Sequence, residues 1–371
     1  MGNVVVSGKR EEYGCRVRWL QRAIGVEVVL IGVVAAVFFG MAGDSGRRVN
    51  DVGQDVIDTG TLSVERGFIK WVDFNVSYEA LCLAYDWAVK THDSSCPVGF
   101  TELLAYTAAR TGGEFDKSAL QILENAGSCL ESGESTLEEL AADLKYYSYY
   151  REAYGAVLDG MVGEYEEEYT DEDGNTAYRT VYGLKAFFPL AKGFAYEHYD
   201  DFGAGRSYGY RRKHLGHDMM GQIGTPIISI ESGYVEAMGW NQYGGWRIGI
   251  RSLDGKRYYY YAHLRQNYPY AEGLKEGDLV TAGDVIGYMG HTGYSTTENV
   301  NNIEVTHLHW GMELIFDESQ KDSTNEIWID VYALTQFLAK HRQQAHKVGD
   351  TREWVRSSTI IDPEVQNMNK E

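Results

Sequence analysis

The sequence predicts an α+β chain: an N-terminal transmembrane helix, an all-helical domain, and a C-terminal, mainly antiparallel β domain with a closing helix. Three observations carry this. Residues 23–43, AIGVEVVLIGVVAAVFFGMAG, hold a single charge, Glu27, in 21 residues. Downstream of residue 62, apolar residues recur at helical spacing. Past residue 180 glycine becomes frequent and short alternating runs replace the helical ones. The 371-residue length admits two domains of ordinary size, and 44% hydrophobic residues supply cores for them.

The apolar run is long enough to cross about 30 Å of hydrocarbon as a helix. Lys9, Arg10, Arg16, Arg18 and Arg22 precede it, which favours a cytoplasmic N-terminus for residues 1–22; Arg47 and Arg48 beyond it weaken the asymmetry without reversing it. Its apolar core exceeds the usual span of a cleaved signal peptide. The expectation is a single-pass anchor in the cell membrane at 23–43, a polar linker at 44–61, and extracellular domains after it.

A helical domain is expected at 62–163. In SYEALCLAYDWAVKTH, Tyr78, Leu81, Cys82, Tyr85 and Val89 form one apolar stripe. VGFTELLAYTAARTGG repeats the pattern and stops on glycines. STLEELAADL opens with Ser135 three residues before Glu138, a capping-box arrangement. The acidic run 164–175 reads as a solvated loop or hairpin tip. The β domain is expected at 180–345: TPIISIESGYVEAMGW gives two strands meeting at Ser232-Gly233, and WRIGIRSLDGKRYYYYAHL a hairpin turning at Asp254-Gly255. A closing helix is expected within IWIDVYALTQFLAKHRQQ, and 346–371 reads as a loose tail. Cys82 sits on an apolar face; Cys96 and Cys129 lie in turn-like segments, and the sequence leaves open whether they are bridged.

The formal net charge of −20 excludes a nucleic-acid partner and docking on anionic lipid by charge. The chemistry gathers instead among histidines of the β region: His214, His217 and Asp218 in RRKHLGHDMM, His263 in YYYYAHLR, and His307 and His309 in VTHLHWGMEL. Residues two apart on a strand share a face, so His307 and His309 point the same way. Two imidazoles and a carboxylate with one open position make a catalytic zinc site, and further histidines suit proton handling at neutral pH.

In order and company these motifs resemble the lysostaphin-type (LytM-like) zinc metallopeptidases, which cut peptides of bacterial peptidoglycan. The H-x-G-x-D pattern stands as HLGHD (214–218), followed by GTPIISIESGYV, YYAHL, EGDLVTAGDVIGYMGHTGYS and HLHW, over about residues 183–316. The resemblance implies one Zn2+ per chain held by His214, Asp218 and His309. It implies His307 as the general base on the zinc-activated water, and His263 as the residue that orients that water and stabilises the oxyanion. It implies peptidoglycan stem or cross-bridge peptides as substrate. His217 is expected beyond the ligand shell or at the surface, and His291 in a surface loop. Two departures stand out: TTENVNNIEVT lengthens the link before HLHW, and Gly311 replaces a glutamate common in the family. The rival reading is a catalytically silent scaffold that binds peptidoglycan or a partner in a trans-envelope complex, with the helical domain as a docking module in either case.

Overall fold

In the computed structural model, residues 68–368 are described, apart from 209 and 322. The predicted membrane helix at 23–43 and the linker at 44–61 lie outside the described residues. Among the described residues no helix is long and apolar enough to cross a membrane.

Five helices come first: α1 (Tyr78–Thr91), α2 (Phe100–Thr111), α3 (Lys117–Ser132), α4 (Leu137–Ala141) and α5 (Tyr147–Leu158). Ser77 caps α1 and Asp116 caps α3, each accepting from backbone N–H groups that the first turn leaves unpaired. Gly112 and Gly133 end α2 and α3 in the left-handed conformation that glycine adopts without penalty. The capping box falls one residue later than the sequence suggests: Thr136 accepts from the Glu139 N–H and Glu139 accepts from the Thr136 N–H. The buried face of α1 is Ala80, Leu81, Ala84, Trp87, Ala88 and Thr91, and Val89 of the expected stripe is exposed. Leu81 of that stripe is fully buried and Tyr78, Cys82 and Tyr85 are half-buried against the core, so Val89 alone departs from it. Trp87 lies on Gly127 of α3, where a Cβ would come within 2.6 Å of the indole, which adds a helix–helix contact beside the stripe.

Strands β1 (Val162–Thr170) and β2 (Thr176–Leu184) pair along their whole length, and the acidic run is the first strand and tip of this hairpin. The principal sheet takes β3 (Tyr196–His198), β6 (His217–Gly221), β8 (Gly233–Asn241), β9 (Gly245–Ser252), β10 (Arg257–Ala262), β11 (Leu279–Val280), β13 (His307–Leu314) and β14 (Ile327–Trp328). Its order is β11-β8-β9-β10-β13-β6-β3, antiparallel throughout, with β14 paired to β13. Two-stranded ladders flank it: β4 (Gly205–Tyr208) with β5 (Tyr210–Lys213), and β7 (Pro226–Ile228) with β12 (Val285–Tyr288). The closing helix is α6 (Tyr332–Leu338).

The segment expected as a loose tail is structured. It forms the ladder β15 (Ala345–Lys347) with β16 (Trp354–Arg356), then β17 (Ile360–Ile361), which extends the β1–β2 sheet, then α7 (Pro363–Met368). Asp362 is the physical reason: buried, it accepts from Lys185 Nζ at 3.2 Å and from Ser232 Oγ at 2.7 Å, so the tail neutralises a buried lysine.

Helices and sheet share one core. Phe337 of α6 packs against Tyr85 of α1 and Phe100 of α2, at 5.6 and 5.9 Å between ring centroids. Arg257, 1% exposed, donates to Glu231 from Nε and Nη2, each at 2.9 Å, and from Nη1 to the Ala156 carbonyl at 3.0 Å, near the end of α5. A charge this deep persists only when paired and hydrogen-bonded, and the helical segment supplies part of the pairing. Cys82, Cys96 and Cys129 are free thiols.

Candidate metal centre

Pairing of β13 with β6 sets His309 opposite Asp218, and the two-residue period puts His307 on the same face. His214 precedes β6, and its ring completes the cluster. Its Nε2 lies 3.0 Å from Asp218 Oδ1 and 2.9 Å from His309 Nδ1, and His309 Nδ1 lies 3.0 Å from the same Oδ1. The glycine of H-L-G-H-D has a steric task. A Cβ on Gly216 would sit 2.6 Å from Cε1 and Nε2 of His309 and 2.8 Å from the Trp310 carbonyl oxygen.

The hydrogen-bond network assigns the tautomers. Nδ1–H of His214 donates to the Asp201 carbonyl at 3.0 Å, that of His263 to the Thr292 carbonyl at 2.9 Å, and that of His307 to the Val305 carbonyl at 2.7 Å. In each ring Nε2 is the atom left free to serve the site. His307 Nε2 stands 3.7 Å from Asp218 Oδ1, and the His263 and His307 rings are 4.7 Å apart. His263 holds a left-handed backbone, φ 63°, which costs a non-glycine residue on the order of 1 kcal/mol. Its N–H bonds the Gly244 carbonyl at 2.7 Å and its carbonyl accepts from Gly290 at 3.0 Å, so the strained geometry is held from both sides.

Electrostatics follow the enclosure. Burial lowers His263 well below the ordinary histidine range, and the charges of His307 and His309 lower it further; burial also lowers His309. Burial alone would raise Asp218, but hydrogen bonds to His214 and His309 override it and hold the carboxyl far below the usual range. Burial likewise opposes charge on His214, yet Asp201 and Asp218 push it up to about 9. Arg206 bridges the two carboxylates, Nη2 donating to Asp201 Oδ2 at 2.8 Å and to Asp218 Oδ2 at 2.9 Å. That leaves one Asp218 oxygen, Oδ1, for the imidazoles.

Three donor atoms thus face one another in a closed triangle with edges of 2.9 to 3.0 Å. Tetrahedral zinc bonds of about 2.0–2.1 Å require edges of roughly 3.3 Å, so the set is a close fit in number, type and spacing. Three lone pairs directed at one point repel unless a positive charge sits among them. A proton on His214 or a cation meets that need. His214, Asp218 and His309 are also a group among the described residues whose donor atoms lie within metal-binding reach of one another.

The sequence-derived set of five is therefore brought together. Of the two positions expected for His217, the structure shows the one beyond the ligand shell and not the surface: it is 1% exposed on the opposite face of the sheet, with Nε2 2.8 Å from His198 Nδ1 and Nδ1 3.5 Å from Asp201 Oδ1. His291 is half-buried and bonds the Ile303 carbonyl at 2.7 Å. Asp201 and Arg206, which orient His214 and Asp218, escaped the sequence reading, because a lone acid in a loop and an arginine in a hairpin carry no spacing signal. The site opens into a cavity of about 620 Å³ whose walls include Tyr243, Arg247, Tyr260 and Tyr294.

Residues 212–323 match peptidase family M23. This stretch is an M23 peptidase domain. Over 125 residues the chain is 41% identical to an L-Ala–D-Glu endopeptidase of Bacillus subtilis (strain 168), covering 34% of this chain and 37% of that protein. It is 40% identical over 89 residues to lysostaphin of Staphylococcus simulans, covering 24% and 17%. The solved catalytic domain of lysostaphin from the same species superposes at a TM-score of 0.30, with 31% identity, covering 38% of this chain and 92% of that one. The chain thus spans well under half the length of these curated relatives. All five site residues expected from the sequence, His214, Asp218, His263, His307 and His309, fall inside the M23 match, whereas Asp201 and Arg206 precede it.

Proposed function

We propose that this chain is a zinc metalloendopeptidase that hydrolyses peptide bonds in peptidoglycan stem or cross-bridge peptides, held on the outer side of the cell membrane by residues 23–43. The observation that carries the reading is the donor triangle of His214, Asp218 and His309 with the free Nε2 atoms of His307 and His263 beside it. Zinc, when bound by that triangle, supplies Lewis acidity.

The chain's own groups divide the remaining work. His307 Nε2, whose ring is oriented by the Val305 carbonyl, accepts the proton of the attacking water and returns it to the departing amine. His263 is neutral, with its Nδ1–H spent on Thr292, so its Nε2 accepts a hydrogen bond from that water and orients it. This arrangement supports the orienting half of the role expected for His263; an Nε2 without a proton has nothing to donate to an oxyanion. Asp201 and Arg206 hold His214 and Asp218 in place.

A silent scaffold that merely held zinc would gain nothing from two further imidazoles fixed in matching tautomers, one of them on strained backbone. The test is digestion of purified peptidoglycan by the zinc-loaded full chain, followed by mass spectrometry of the released muropeptides. New peptide termini are expected. Their absence, with zinc bound stoichiometrically, favours the scaffold.

A further inference from the structure

The acidic chain carries a local excess of cations in this cavity. Arg206, Arg212, Lys213, Arg247 and Lys321 line it, against Asp218, Glu313 and Glu326. Part of the set is neutralised internally. Arg206 is taken by Asp201 and Asp218, Lys321 pairs with Glu236, and Glu326 accepts from the Trp328 indole. Arg212, Lys213 and Arg247 have no carboxylate partner among the described residues.

Arg212 is built to stay where it is. Its guanidinium lies between two rings, with Cζ 4.9 Å from the Tyr243 centroid and 5.2 Å from that of Tyr294, and its Nη2 donates to Tyr294 Oη at 2.9 Å. Its Nη1 is buried with no hydrogen-bond partner among the described residues, and the same holds for Nε of Arg247, which also lines the cavity. Buried donors left unpaired cost stability, so their presence in a cavity wall points to a ligand that pairs them. Strand pairing sharpens the point. In the β4–β5 hairpin Arg212 stands directly opposite Arg206, and like charges at facing positions repel. Arg206 is neutralised by two carboxylates; among the described residues Arg212 has two aromatic faces and the Tyr294 hydroxyl but no carboxylate. Distance to the chemistry is short, since the Tyr294 ring that supports Arg212 is 6.0 Å from the His263 ring.

We propose that Arg212, assisted by Arg247, is a specificity-determining residue that binds a free carboxylate of the substrate next to the scissile bond, so that the site takes acidic peptides in preference to amidated or polyglycine ones. Forked guanidinium donors match a carboxylate, and a carboxamide at the same place offers neither the charge nor two acceptors. This rests on the endopeptidase reading above and specifies its substrate class.

The experiment uses the zinc-loaded full chain in detergent and the synthetic peptide L-Ala–γ-D-Glu–L-Lys–D-Ala in three forms: both carboxylates free, the D-Glu carboxylate amidated, or the C-terminal carboxylate amidated. Binding is measured by calorimetry and cleavage as kcat/KM. One amidation is expected to weaken binding and lower kcat/KM by about tenfold or more, and which one does so identifies the carboxylate. In Arg212→Gln the acid-to-amide ratio is expected to fall to near one, with Arg212→Lys between the two. A merely structural arginine would depress all three peptides together and leave the ratio intact, which overturns the proposal, as does a ratio near one in the wild type. If the wild type binds the acid form selectively yet cleaves none, the endopeptidase reading falls and the arginine assignment stands. Equal cleavage of all three forms does the reverse.

Discussion

Replacing Gly216 by alanine tests how tightly fold and site are joined. The added methyl would lie 2.6 Å from two atoms of the His309 ring and 2.8 Å from the Trp310 carbonyl oxygen. That carbonyl belongs to β13 where Trp310 faces His217 of β6, so it cannot retreat without opening the ladder that sets His309 against Asp218. The ring must therefore give way, by roughly 0.8 Å to regain ordinary contact, whereas metal ligands tolerate about 0.2 Å. Overpacking of this kind costs about 1–3 kcal/mol of folding stability, and displacing a ligand lowers zinc affinity about tenfold or more. Urea unfolding in the presence of chelator reads the first effect, and competition with a chromogenic zinc chelator reads the second. Gly205→Ala is the control: a Cβ there meets nothing within 4 Å, and a change within about 0.5 kcal/mol is expected. If Gly216→Ala binds zinc like the wild type and unfolds at the same urea concentration, the steric link between the HLGHD glycine and the ligand set is wrong.

Two further outcomes concern stability. Glu231→Ala removes two charge-assisted hydrogen bonds from buried Arg257, leaving it the Asp254 carboxylate at 3.2 Å and backbone carbonyls, and is expected to cost about 1.5–3 kcal/mol, seen as a lower urea midpoint; an unchanged midpoint contradicts the shared-core description. In the zinc-free protein His214 is raised to about 9, above its ordinary value of 6.5, so its stabilisation is complete below pH 6.5 and is lost as pH rises through about 9. The urea midpoint in chelator is expected to fall over that range while zinc affinity climbs, because zinc takes the place of the proton on His214. A flat or rising midpoint contradicts the assignment.

The ligand set was legible because its spacing is local. HLGHD places two donors around a glycine, HLHW places two imidazoles on one strand face, and the order of these motifs carries the family resemblance that implies which of them are ligands. What joins them is not local. Asp201 and Arg206 reach the site through a loop and a hairpin, Arg212 matters only because of what it lacks, and none of these leaves a pattern along the chain. The apolar stripe of α1 holds except at Val89, which is exposed, and it omits Trp87, whose packing on Gly127 is a contact between helices that periodicity within one helix does not encode. The tail read as loose because its few apolar residues are scattered; Asp362 anchors it by charge, to a lysine 177 positions earlier.

Zinc content and turnover measured side by side in the wild type, His309→Ala and His307→Ala give the most direct test of how the paired histidines divide their labour. His309→Ala is expected to lose both metal and peptidoglycan cleavage. His307→Ala is expected to keep stoichiometric zinc while kcat/KM falls by about 10²–10⁴. A His307→Ala protein that retains wild-type turnover, or a His309→Ala protein that retains its zinc, contradicts the assignment.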